Sequence, residues 1–214
     1  VTATNNCGTS AATTMSITTV LQASFAAGNL VLLQTSATAS KAPSPITLKE
    51  ITTNGTPGMT VTIPSTGPTP FQTSGVFGGS EGFLTTSTDQ KYLVLAGYST
   101  NMSGGDVTAT SAASTPRAVG IVYPSGFFQQ VYSSTTNYDL NDIRGAVSDG
   151  TNFWAAGASV ANVDGIDYYG PATPVGLGTG ATPPKAYAIR IFNGQIYYST
   201  QKAGPSNSTS QLGI

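Results

Sequence analysis

The strongest constraint on this chain is that it repeats itself. Gly82–Tyr98 reads GFLTTSTDQKYLVLAGY, two strand-like runs on either side of a polar turn. Ile143–Ala158, IRGAVSDGTNFWAAGA, carries Asp149 and Ala156-Gly157 where the first copy carries Asp89 and Ala96-Gly97, an offset of 60 in both cases (89 to 149, 97 to 157). A shorter version, AYAIRIFNGQIYYST from Ala186 to Thr200, has Asn193-Gly194 at its turn and an aromatic strand after it. Units built from strands and recurring at this spacing predict an all-β fold arranged as a radial, propeller-like array.

Around these hairpins the chain divides into four units. Val1 to Ala27 lacks periodicity and is expected to be an extended N-terminal arm, with 28–214 forming the array. Asn29–Gln34 (NLVLLQ) is a continuous apolar run and predicts a strand buried on both faces. Pro45–Ile51 and Met59–Ile63 alternate around Asn54-Gly55, a hairpin signal. In the second unit the inner hairpin is followed by Arg117–Tyr123, a Pro124-Ser125-Gly126 turn and Phe127–Tyr132, making four strands in up-and-down order, the content of one blade. The third unit repeats the hairpin and then weakens: Gly165–Tyr169 reads as a strand and Gly170–Pro184 as a Gly/Pro/Thr loop. The fourth begins with the Ala188–Ser199 hairpin. About three and a half four-stranded antiparallel blades result, fewer than a closed ring needs, so the reading expects completion by a second segment or chain. Ala96-Gly97 and Ala156-Gly157 are expected where backbones approach closely, and Tyr98, Phe153 and Trp154 are expected to fill the cores between blades.

Composition then limits function. Charged residues make up 8% of the 214 and the formal net charge is -1, so no electrostatic footprint for nucleic acid is present. The apolar runs fall short of the ~20 residues that span a bilayer. Sequons at Asn54, Asn101 and Asn207 lie in turn-like contexts and suit a secreted glycoprotein. Val1 opens a Thr/Asn-rich tail with no basic region, which reads as a mature, processed start. The single cysteine, Cys7, has no partner within the chain for a disulfide.

The segments SEGFLTTSTDQKYLVLAGY and DIRGAVSDGTNFWAAGA resemble the repeat hairpins of secreted Gly/Ser/Thr-rich β-propeller-like proteins of unknown function. The resemblance runs over Asn29–Ser199. It implies the fold and the extracellular setting, and it implies no activity.

The inventory of reactive groups is small. Without histidine, neither a Ser-His-Asp nor a Cys-His arrangement is available, and acid-base chemistry falls to carboxylates. Glu81 precedes one inner strand, and Asp142 with Arg144 opens the equivalent strand of the next unit, so the three are candidates for a ligand site at one mouth of a central channel. Capping of strands or an inter-blade ion pair is the structural alternative. Asn137, Asp139 and Asn141 alternate as oxygen ligands for calcium, and Asn162, Asp164 and Asp167 form a second run, although Asx residues in turns also cap their own backbone. Asp89 and Asp149 are expected to serve their turns. Trp154 offers a sugar platform if exposed and core packing if not. The expectation is an extracellular binding or scaffold glycoprotein without catalysis of its own, with carbohydrate as ligand; the alternative is a carboxylate-dependent hydrolase or lyase at the channel mouth.

Overall fold

The computed structural model describes residues 4–5, 8–9, 23–36, 41–75, 80–158, 165–170, 175–176, 185–201 and 210–213. Every regular element among them is a strand. In the arm, β1 (Thr4–Asn5) and β2 (Gly8–Thr9) pair with each other. The first unit holds β3 (Leu30–Thr35), β4 (Pro43–Ser44), β5 (Ile46–Ile51), β6 (Pro57–Thr62) and β7 (Thr73–Ser74). The second holds β8 (Thr85–Thr86), β9 (Leu93–Tyr98), β10 (Arg117–Val122) and β11 (Phe128–Ser134). The third holds β12 (Ile143–Ser148), β13 (Phe153–Gly157), β14 (Ile166–Tyr169) and β15 (Val175–Gly176), and the fourth β16 (Lys185–Phe192), β17 (Gln195–Gln201) and β18 (Ser210–Gly213).

Each unit is an antiparallel sheet whose strands follow chain order: β3-β5-β6, β8-β9-β10-β11, β12-β13-β14-β15 and β16-β17-β18, with a small β4-β7 ladder beside the first. The four-strand content expected for the second unit is present. β15 and β18 arise from Gly/Pro/Ser-rich stretches that carry no strand pattern in sequence.

Three cores separate the four sheets, each shared by sheets consecutive in the chain. Ile46, Leu48 and Ile63 of the first unit meet Leu95, Ala118 and Val122 of the second. Val94, Tyr98 and Val119 of the second meet Ile143, Phe153 and Tyr169 of the third. Val147, Ala156 and Ile166 of the third meet Ala186 and Ile189 of the fourth. The middle strands β9, β10, β12 and β13 are therefore covered on both faces, and burying one large side chain such as Tyr98 or Phe153 stabilises the stack by about 1.5–3 kcal/mol. Trp154 is half-buried against Tyr168, with ring centroids 5.6 Å apart.

β3 departs from the expectation of burial on both faces. It alternates, with Leu30 54% and Leu32 50% exposed, while Val31 and Leu33 pack inward. Among the described residues no further sheet covers its outer side, so an apolar run that suits an interior strand here occupies a sheet edge.

The first strands of successive units lie side by side. Phe83 forms a parallel bridge with Gly145, Thr85 Oγ1 donates to Ala146 O (2.7 Å), and Thr88 N donates to Ser148 O (3.0 Å). A β-carbon on Gly145 would meet Phe83 at 3.3 Å and Ile189 at 3.6 Å, so β8, β12 and β16 converge there. The repeated glycines do what their spacing suggests, against a different neighbour. Gln72 crosses Gly97 through backbone hydrogen bonds to Tyr98, and Asp142 crosses Gly157, its carbonyl 2.6 Å from where a β-carbon would stand. In both copies the tight approach comes from the segment that leads into a sheet.

Candidate functional site

Glu81, Asp142 and Arg144 stand just before or at the start of β8 and β12, and the convergence of those strands brings them into one network. Glu81 Oε1 accepts from the Tyr98 hydroxyl (2.9 Å), and Oε2 accepts from Ser74 N (3.0 Å) and Thr73 Oγ1 (3.2 Å). This carboxyl thus straps β7 to β9. Burial pushes it up to about 7 against the pull of those hydrogen bonds, and the nearby charge of Asp142 adds to the rise.

Asp142 Oδ2 accepts from Arg144 Nε at 2.7 Å and from Ser80 Oγ at 3.3 Å. Arg144 in turn donates from Nη1 to Ala186 O (3.1 Å), and its guanidinium lies 3.9 Å from the centre of the Tyr187 ring. The ion pair therefore joins the second, third and fourth units. The site contains one carboxyl poised to titrate near neutrality, one carboxylate held by a cation, and a guanidinium engaged on a carbonyl and an aromatic face.

Two further residues belong to the network: Tyr98, expected from sequence only as core bulk, and Arg117, which was not singled out. Tyr98 is fully buried; burial and the Glu81 charge push its hydroxyl well above its ordinary range. The Arg117 guanidinium lies over the Tyr98 ring at 5.2 Å and is also fully buried. It donates to the carbonyls of Asn141 (2.7 Å from Nη2), Thr108 (3.0 Å), Thr110 (2.9 Å) and Thr115 (2.8 Å), and burial pulls its pKa down. Its only sequence signal is a cation opening an otherwise apolar strand. Glu50 had a clearer signal, because period two places it on the face of Ile46 and Leu48. It is 4% exposed and accepts from Met59 N (2.8 Å), Ala26 N (2.6 Å) and Asn29 Nδ2 (2.8 Å), which hold its carboxyl below the usual range.

In the oxygen-rich run Asn137 bonds within its own turn, while Asp139 and Asn141 also reach other segments. Asn137 Oδ1 accepts from Ser134 Oγ (2.7 Å) and Thr136 Oγ1 (3.0 Å), and Asp139 Oδ1 accepts from Ala112 N (2.7 Å). Asn141 donates to Asp139 O (3.3 Å) and gives its carbonyl to Arg117. Among the described residues no group of three or more Cys, Asp or Glu is arranged to hold an ion. Asp167 is buried in β14; Asn162 and Asp164 lie outside the described residues. Asp149 accepts from Thr151 N and Asn152 N, and Asp89 pairs with Lys91 at 2.9 Å and accepts from Ser87 Oγ, so both serve their turns.

Asn54 and Asn101 are exposed, the first at the tip of the β5–β6 hairpin; Asn207 and Cys7 lie outside the described residues. No described helix is long and apolar enough to cross a membrane. No protein-family model matches the chain, and no curated protein or solved structure proves similar to it.

Proposed function

We propose that the chain is a secreted, extracellular binding or scaffold glycoprotein without catalytic activity of its own, and that carbohydrate is its ligand. The observation that carries this reading is the use made of the carboxylates. Glu81, Asp142 and Glu50 each spend their oxygens tying neighbouring segments together, as a scaffold requires. The exposed sequons at Asn54 and Asn101 support a glycoprotein.

The sheets are blades of a propeller-like array on this reading. Consecutive stacking and the parallel approach of β8 and β12 support it, and the uncovered outer side of β3 is where a further blade from a second chain or segment docks. A glycan array tests the ligand. Intact mass of native material, with light scattering, tests the sugars on Asn54 and Asn101, the partner and the state of Cys7.

One observation favours the alternative of a carboxylate-dependent hydrolase or lyase. Glu81, pushed up to about 7 by burial, lies near the ion-paired Asp142, and a carboxyl that titrates near neutrality suits a general acid or base. Glu81→Gln and Asp142→Asn decide between the two: turnover of aryl glycosides that is lost in variants that still fold supports the enzyme, and no turnover in the native protein removes it.

A further inference from the structure

A cleft of about 380 Å³ opens between the first and second sheets, where the end of the arm meets the β8–β9 turn. Its accessible apolar lining is Phe25, Val31 and Leu93, with Val122 and the Tyr92 ring buried behind them, and Thr86 and Gln90 are exposed at its edge. Among the described residues no Asp, Glu, Lys or Arg lines it. Such a site charges a neutral ligand little for desolvation and penalises an ionic one.

Gln90 is the informative residue. It holds φ at +59°, a conformation that costs an ordinary side chain free energy and that glycine adopts without strain. The same position of the repeat in the third unit, sixty residues on (90 to 150), is Gly150 with φ +107°. The turn thus works with glycine, yet the second unit keeps a long amide there, and that amide stands at the mouth of the cleft. The Gln90 side chain is exposed and makes no hydrogen bond to a described residue, and the same holds for the Thr86 hydroxyl. Strain retained at one copy of a repeat points to a use for the side chain.

We propose that this cleft binds one uncharged saccharide unit, the apolar lining taking the C–H face of the ring and Gln90 with Thr86 meeting its hydroxyls. The assignment rests on the carbohydrate-binding reading and gives it a place. Neutral amides and hydroxyls both donate and accept, as sugar hydroxyls do, and the half-buried Phe25, Val31 and Leu93 offer apolar surface that a pyranose face can cover.

The test titrates the isotopically labelled full chain with the methyl glycosides of glucose, mannose, galactose and N-acetylglucosamine at millimolar concentrations. At least one should shift the Gln90 side-chain amide and the Leu93 and Val122 amides saturably. Gln90→Gly restores the residue used by the third unit, so its Tm should equal or exceed that of the native protein while affinity falls by about tenfold or more. Gln90→Ala, which keeps the β-carbon and removes the amide, should lose binding equally. Native affinity retained by both variants places the sugar elsewhere and overturns the cleft, as does glycan-array binding without any Gln90 shift. Silence in both the titration and the array overturns the cleft and the carbohydrate reading together.

Discussion

Glu81 and Glu50 are both half-hidden or hidden carboxyls that strap segments together, yet they answer pH in opposite directions. The Glu81 carboxyl titrates near 7 when folded and near the ordinary carboxylate range when unfolded. The folded state therefore holds the proton more tightly, and the contribution of Glu81 to stability is fully present below about 4.5 and is lost as pH rises through 7, by on the order of 1–3 kcal/mol. Glu81→Gln should abolish that fall, because a neutral amide can accept from Ser74 N and donate to the Tyr98 oxygen. Urea midpoints measured from pH 4.5 to 8 check it; an unchanged slope in the variant is the contrary result. The Glu50 carboxyl is lowered by Met59 N, Ala26 N and Asn29 Nδ2. Its contribution is present above the unfolded carboxylate range and is lost as pH falls through its folded value, so Glu50→Gln should lose stability at neutral pH and lose acid sensitivity below about 4.5. Arg117 yields a third expectation. Lysine has one nitrogen where arginine has a fork of three, so Arg117→Lys leaves several of the Thr108, Thr110, Thr115 and Asn141 carbonyls unpaired and should destabilise by about 2–4 kcal/mol in thermal unfolding.

At the scale of elements, the hairpins were legible because their signal is local. Asp89, Asp149 and Asn193-Gly194 mark turns, and the flanking runs have the right period, so β9, β12, β13, β16 and β17 lie where the sequence places them. β15 and β18 were not legible, since their pairing with β14 and β17 is set by position in the sheet and Val175, Gly176 and Ser210 carry no strand pattern of their own. The reading of β3 failed for a related reason: hydropathy reports that Leu30 and Leu32 are apolar but not whether a neighbour covers them. Glu81, Asp142 and Arg144 could be named from sequence because they stand at the openings of equivalent strands, whereas Tyr98 and Arg117 join them only through tertiary packing. The small pairs were read correctly as close approaches, and Gly157→Ala makes that quantitative. Its methyl would press on Asp142 O and the Tyr138 ring, each at 2.6 Å, and should cost about 2–4 kcal/mol. Leu32→Thr, on the open side of β3, should cost less than about 0.5 kcal/mol by the same denaturation assay.

Across the whole molecule, stability is shared between neighbours in a line. Among the described residues each sheet buries its faces against the sheet before it and the sheet after it, so the second and third have two partners and the first has one. In such an array the interior elements open only with most of the structure, while an edge strand can detach at the cost of a single interface. Native-state hydrogen exchange should therefore grade along the stack. Amides of β9, β10, β12 and β13 should exchange at the rate set by global unfolding and follow denaturant with the full m-value. Those of β3, which pairs only with β5 and leaves Leu30 and Leu32 to solvent, should exchange faster and with little denaturant dependence. A glycan or partner seated on the outer side of β3 would raise its protection without altering β9, so the same measurement on native and recombinant material also reports whether that side is occupied. Equal protection of β3 and β9 in the isolated chain would mean that the four sheets open as one unit and that the nearest-neighbour picture does not hold.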